Sequence, residues 1–243
     1  MSALNIVLLS ALAGESCEEH GPYPDYLAER SGKPLIQSLI DDCAGLEPAR
    51  IICTFTDTDI ARLHLRNMVQ QMHPAASVLP VHGITRGAAC TVLLASEQID
   101  NQDELLILST SDRVEIDLED VLGGLRGNGN DAGVVIFRSL HPRYSFVRLD
   151  ADDRVVEAAE KNPISPHAIA GVYWFRHGAA FVAAAKEMIR KDARVNDSFF
   201  IAPVLNELVL QHRRIGVYRI ESARYHPLKT ASQLQAFEAG SAR

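Results

Sequence analysis

Short apolar runs alternate with amphipathic stretches through the first half of the chain. Residues 4–9, 50–55, 77–81, 104–109 and 133–137 have the length and near-continuous apolar character of buried strands. Between them, 34–43, 59–72, 87–99 and 118–126 carry apolar side chains at helical spacing. Strand–helix alternation of this kind predicts an α/β fold: a Rossmann-like, mostly parallel mixed sheet with helices on both faces. Crossovers in such a sheet are right-handed, and ligands bind beyond the carboxyl ends of the strands. That directs attention to the loops at 10–25, 82–90 and 110–117. The second half reads differently. A hairpin is predicted at 144–149 and 154–157 around Asp150-Ala151-Asp152-Asp153, then a strand at 169–175 and helices at 179–190 and 198–211. A strand at 215–220 and a helix from about Ser232 complete the chain. No repeat or linker interrupts it, so residues 1–243 read as one domain. The second half, 141–243, is expected to extend the same sheet as 1–140 and to cover the ligand cleft. Tyr173 and Trp174 alternate along a strand, so one of them is expected to face inward.

Composition narrows the function classes. A chain of 243 residues with 47% hydrophobic and 23% charged residues is ordinary for a globular protein. The net charge of −7, with no basic run longer than two residues, argues against a nucleic-acid partner. The longest apolar runs are far too short to span a bilayer, which argues against a membrane. The N-terminal apolar run has no basic residues before it and reads as a strand rather than a signal peptide. The cysteines, Cys17, Cys43, Cys53 and Cys90, form no C-x-x-C pair, so zinc is not expected and reduced thiols in the cytoplasm are. His20, His82, His141 and His226 fall in predicted loops without metal-ligand spacing.

Several clusters suit phosphate chemistry. Ser10, Ala11, Ala13 and Gly14 follow a strand, and their small side chains leave backbone N–H groups accessible to a ligand. Gly87, Ala88 and Ala89 open a predicted helix, where partial positive charge gathers; the alternative is a packed helix start capped by Thr85. Ser111 and Asp112 follow a buried strand, and a carboxylate there suits Mg²⁺, although it equally suits a cap. Lys161 beside Glu160 offers a point charge to a phosphate, or a solvated charge pair. Asn196 and Asp197 either reach a ligand or cap a helix at Ser198.

Taken together and in order, four segments resemble the sugar-phosphate nucleotidyltransferases, especially those of bacterial capsule and surface-polysaccharide pathways. They are Leu9-Ser10-Ala11-Leu12-Ala13-Gly14 with Tyr23-Pro24 and Gly32-Lys33-Pro34-Leu35-Ile36; Thr85-Arg86-Gly87 through Leu93; Ser111-Asp112; and Glu160-Lys161 with Gly171-Val172-Tyr173-Trp174 and Val195-Asn196-Asp197-Ser198-Phe199-Phe200. The resemblance implies a GT-A-like, nucleotide-diphospho-sugar transferase fold. It implies transfer of a nucleotidyl group from a nucleoside triphosphate to a phosphorylated metabolite, with release of pyrophosphate. Ser10, Ala11, Ala13, Gly14, Gly87, Ala88, Ala89 and Ser111 would contact the nucleotide. Asp112 would hold Mg²⁺, and Glu160, Lys161, Gly171 and Asn196 would hold the acceptor, with Asp112 and Lys161 in the catalytic roles. Family members often self-associate, so a homo-oligomer is implied as well.

The chain departs from the family's pattern in one loop and at one end. Glu18 stands where the resemblance calls for a phosphate-binding arginine, and Asp25 where it calls for a lysine. Two like charges about 6 Å apart repel by roughly 3 kcal/mol at an effective dielectric near 20. Exchanging attraction for repulsion at both sites disfavours a triphosphate by about 10 kcal/mol at most, before screening and side-chain movement. Near the C-terminus, His226-Pro227-Leu228-Lys229 occupies the place of a second acidic metal ligand. Three readings therefore stand side by side. One is an active nucleotidyltransferase in which Arg86 or Lys33 supplies phosphate charge. Another is a non-catalytic sensor or partner protein on the same fold. The third is a GT-A glycosyltransferase using a nucleotide-sugar, although Ser111-Asp112-Arg113-Val114 lacks the second aspartate such enzymes use.

Overall fold

The structure, a computed structural model, describes residues 2–10, 23–228 and 230–238. Its strands are β1 (Leu4–Leu9), β2 (Glu29–Arg30), β3 (Lys33–Pro34), β4 (Arg50–Thr56), β5 (Ala76–Val81), β6 (Glu104–Ser109), β7 (Asp112–Val114), β8 (Ala132–Arg138), β9 (Ser145–Leu149), β10 (Val155–Glu160), β11 (His167–Phe175), β12 (Ile215–Arg219) and β13 (Tyr225–Pro227). Its helices are α1 (Leu35–Ala44), α2 (Asp57–Leu63), α3 (Leu65–Met72), α4 (Ala88–Leu93), α5 (Ser96–Ile99), α6 (Leu118–Arg126), α7 (Gly178–Arg190), α8 (Val204–Leu210) and α9 (Ala231–Glu238).

The apolar runs of the first half become parallel neighbours: β5, β4, β1 and β6. β11 then runs antiparallel to both β6 and β8, and β12 lies parallel to β8 beyond it. The β9–β10 hairpin joins the start of β11 through Ala168 and Phe146. All nine strands belong to one mixed sheet, so strands from both halves of the chain share it. The short pairs β2–β3 and β7–β13 stand apart from it.

All six residues of β1 are buried, because helices cover both faces of the sheet. Ile6 and Leu8 pack with α1, α3 and α6 on one face. Val7 and Leu9 pack with α4, α7 and α8 on the other. The same two-sided cover overturns the expectation for Tyr173 and Trp174. Both are buried, on opposite faces of β11, since neither face of a central strand meets water. The β10 edge is closed by a side chain: Asn206 accepts from the Ala158 N–H and donates to its carbonyl, both at 2.8 Å. That satisfies edge groups that would otherwise offer pairing to another strand.

Several predicted helices are shorter than expected. The stretch at 59–72 splits at His64, which adopts a left-handed φ of 53°. That at 87–99 divides into α4 and α5. The helix expected from Ser198 starts only at Val204, after Pro203, whose ring belongs in a first turn and not in a helix interior. No helix among the described residues is long and apolar enough to cross a membrane.

Gly87 locks the start of α4 to the loop before α8. Its φ is +118°, and a Cβ there would lie 2.5 Å from the carbonyl oxygen of Phe199. Phe199 donates its N–H to the Arg86 carbonyl at 2.7 Å and accepts from Ala89 at 3.0 Å. Gly87→Ala is expected to cost about 3 kcal/mol, from strain and forced backbone separation. Urea unfolding with an unchanged m-value measures this; a loss below about 0.5 kcal/mol would show that the contact yields freely.

Candidate functional site

A cavity of about 360 Å³ opens where the parallel strands end. Leu9 and Ser109, the last residues of β1 and β6, form part of its wall with Gly87 and Ala88. Gly171 and Tyr173 of β11 contribute a second wall, and Ser145, Glu160 and Lys161 of the β9–β10 hairpin a third. Asn196, Ser198 and Phe200 approach from the loop before α8, and Tyr225 from β13.

Local geometry explains how each side chain arrives there. β11 changes register against β8 between Ile169 and Tyr173, and Gly171 sits inside that irregularity with φ +73°. A Cβ at Gly171 would come within 3.1 Å of the Ser109 Cβ and 3.3 Å of Asp112 Oδ2. Glycine there brings bare backbone against the end of β6. Asn196 and Asp197, with φ of 48° and 60°, are the central residues of a tight turn closed by reciprocal hydrogen bonds between Val195 and Ser198. Two successive left-handed residues suit such a turn, and asparagine and aspartate tolerate that conformation. They therefore do not cap a helix at Ser198, and Asn196 lines the cavity.

The structure brings together Asp112, Gly87, Ala88, Glu160, Lys161, Gly171 and Asn196 from the sequence-derived candidates. Two candidates stand behind the wall. Ala89 is fully buried and its amide is bonded to Phe199. Ser111 is buried, with its amide on Ser109 Oγ and its carbonyl receiving the Leu228 N–H. Ser10 gives its amide to Thr54 Oγ1 at 3.2 Å and is not part of the cavity wall. Ala11, Ala13, Gly14 and Glu18 lie outside the described residues. Asp25 opens a short 3-10 turn at 25–27, away from the cavity wall. Lys33 is drawn into a 2.8 Å ion pair with the exposed Asp41, also away from the wall.

Charge is unevenly distributed in the cavity. Asp112 and Glu160 are buried carboxylates. Lys161 is exposed, held in a left-handed conformation (φ 53°) with its ammonium 5.0 Å from the centre of the Phe200 ring. Arg143 is half-buried on the same wall. Ser145 donates to Glu160 Oε2, and the Tyr225 hydroxyl donates to Asp112 Oδ1 at 2.6 Å. Two phenols in the wall, those of Tyr225 and Tyr173, are pushed well above the ordinary tyrosine range. For Tyr225 the causes are burial, then the Asp112 charge and its hydrogen bond. For Tyr173 they are burial and then the Glu160 charge, partly offset by the neighbouring Ser145 hydroxyl. Sequence reasoning did not find Arg143, Tyr144, Ser145 or Tyr225. The first three are visible in sequence only as the entry to a hairpin, and Tyr225 arrives through the long-range β7–β13 pairing.

Among the described residues, no group of three or more His, Cys, Asp or Glu side chains forms a metal cage. Asp112 is the carboxylate at the cavity's candidate metal position. Mg²⁺ is commonly held by one or two carboxylates, with substrate phosphates and water completing the shell. The donor set therefore fits Mg²⁺ arriving with a phosphorylated ligand. Pro227, paired with Asp112 across the β7–β13 ladder, adds no ligand.

The nucleotidyl transferase family matches residues 24–217, well over half of the chain. The chain belongs to that family. The match begins at Pro24, so Glu18 precedes it and Asp25 lies just inside it. The chain also shares its fold with solved structures. One is a nucleoside-diphosphate-sugar pyrophosphorylase from Vibrio cholerae RC9, with TM-score 0.79 and 18% identity, covering 97% of this chain and 99% of that one. Another is a putative glucose-1-phosphate thymidylyltransferase from Bacillus anthracis in complex with a sucrose, with TM-score 0.77 and 16% identity, covering 98% and 94%. A search among curated proteins finds no match to this chain.

The raised phenols carry a pH signature. Below about pH 10 each is neutral in both folded and unfolded chains. Above it the unfolded chain loses the proton and the folded one keeps it, so stability falls with rising pH until the folded-state value is reached. Each phenol contributes about 1.4 kcal/mol per pH unit to that slope. Tyr173→Phe is expected to make the fall in unfolding free energy above pH 10 shallower by about that amount, read from urea titrations between pH 9 and 11. An unchanged slope would mean that Tyr173 titrates normally in the folded protein.

Proposed function

We propose that this chain transfers a nucleotidyl group from a nucleoside triphosphate to a sugar phosphate or similar phosphorylated metabolite, releasing pyrophosphate, in cytoplasmic synthesis of surface polysaccharide. The observation that carries this reading is the polarity of the cavity: buried Asp112 and Glu160 in its wall, with Arg143 and the exposed Lys161 beside them. Lys161 and Arg143 hold the acceptor phosphate as charge-assisted partners. Glu160, kept oriented by Ser145, accepts hydrogen bonds from acceptor hydroxyls. Asn196 and the bare backbone at Gly171 shape the acceptor's seat. Residues 141–243 thus serve as the acceptor half, and 1–140 as the nucleotide half.

Gly87 and Ala88 give the nucleotide a smooth wall, and Ala89 and Ser111 stand behind it. Held in line, the acceptor phosphate oxygen attacks the α-phosphorus and pyrophosphate leaves; positioning and charge neutralisation carry the rate. Mg²⁺ held by Asp112 supplies charge neutralisation on the triphosphate when bound.

A second reading, a non-catalytic nucleotide or sugar sensor, is favoured by the carboxylates Glu18 and Asp25 at positions where cations were expected. One assay separates the two. Pyrophosphate release is measured with each nucleoside triphosphate, Mg²⁺ and a panel of hexose phosphates, beside thermal shifts with the same ligands. Release with one nucleotide–acceptor pair is expected. Lys161→Ala should then raise the acceptor KM about 10- to 100-fold, as expected for losing a charged hydrogen bond. Asp112→Asn should lower kcat about 100-fold or more. Nucleotide-induced stabilisation with no release from any pair would favour the sensor instead.

A further inference from the structure

β13 reaches the cavity from the far end of the chain. Its antiparallel ladder sets Tyr225 opposite Val114, His226 opposite Arg113 and Pro227 opposite Asp112. The Tyr225 hydroxyl crosses this ladder to donate to Asp112 Oδ1 at 2.6 Å. The ring that carries the hydroxyl is itself clamped. It stacks on Phe137 at 4.2 Å between centroids and meets the Tyr144 ring edge-on at 5.5 Å. The other Asp112 oxygen, Oδ2, faces Gly171, where a Cβ would come within 3.3 Å of it.

An aspartate carboxylate ordinarily turns over a broad torsional range. Here one oxygen is tied to a phenol fixed by two aromatic neighbours, and the other is directed at the bare-backbone irregularity of β11. Pro227 cannot share the task, because its side chain offers neither donor nor acceptor. A neutral donor also orients the carboxylate without the repulsion that a second carboxylate at this distance would impose.

We propose that Tyr225 is a positioning residue that fixes the Asp112 carboxylate for a divalent cation, so that the C-terminal strand sets the metal affinity of a residue 113 positions earlier. This inference rests on the reading that Asp112 holds the cation. Hydrogen-bond partners of metal-ligating side chains typically contribute 10- to 100-fold to metal affinity or activity.

The test titrates Mn²⁺ into the full-length protein and follows water-proton relaxation, alone and with inorganic pyrophosphate. Asp112→Asn should abolish the enhancement. Tyr225→Phe keeps the aromatic stack and should raise the Mn²⁺ dissociation constant about tenfold or more, with little change in Tm. Tyr225→His, which restores a donor, should recover part of the affinity. The Mg²⁺ concentration for half-maximal pyrophosphate release should rise in parallel for Tyr225→Phe, with the acceptor KM unchanged. Wild-type Mn²⁺ affinity in Tyr225→Phe overturns the proposal while leaving Asp112 as the ligand. Wild-type affinity in Asp112→Asn overturns the underlying reading, and the proposal with it. A large Tm loss in Tyr225→Phe without any rescue by Tyr225→His assigns the hydroxyl a structural role only, and also overturns it.

Discussion

The seam where β6 meets β11 joins the two halves of the molecule. β6 ends a run of parallel strands, and β11 enters against it with Val172 opposite Leu108 and Phe175 opposite Leu105. Each strand is buried on both faces, so the pairing removes backbone polar groups from water and must satisfy them within the sheet. The departure from regular pairing falls around Gly171. A register change there turns the start of β11 toward the β9–β10 hairpin, and φ of +73° is accessible to glycine at little cost. The cavity forms at this point because the sheet diverges there. Ser109 ends β6, the hairpin departs on one side, and Asp112 is directed back toward the gap.

The charge pattern of the cavity follows from the same geometry. Glu160 and Asp112 sit near the divergence and are buried, so each requires a hydrogen-bond donor. Ser145 and Tyr225 supply them. Lys161 and Arg143 come from the hairpin's outer ends and retain access to water. Buried acceptors beside accessible cations match a phosphorylated, hydroxyl-bearing molecule better than an apolar one.

The loop before β2 remains the chemical exception in this family member. Carboxylates replace the expected cations at Glu18 and Asp25, and Asp25 lies off the cavity wall. The Asp25 carboxylate therefore adds no charge to the wall of this cavity. Glu18 belongs to the part of the loop outside the described residues.

The sequence by itself determined the class of sheet, most strand positions to within a residue or two, and the local clusters at 87–88, 112 and 160–161. Those features depend on short-range apolar periodicity and neighbouring residue chemistry. Tertiary structure decided what depends on pairing across long stretches of chain. It set Tyr173 and Trp174 both inside, because both faces of β11 are covered, one by a cluster that includes α7 and α8 and the other by a cluster that includes α1 and α6 from the first half of the chain. It retained Gly87 and Ala88 at the wall and withdrew Ala89, because the Phe199 carbonyl claims the Ala89 amide. It turned Asn196 and Asp197 into a tight turn rather than a helix cap. It also placed Tyr225 on Asp112 through a ladder between two three-residue strands, each too short to leave a periodic trace in the sequence.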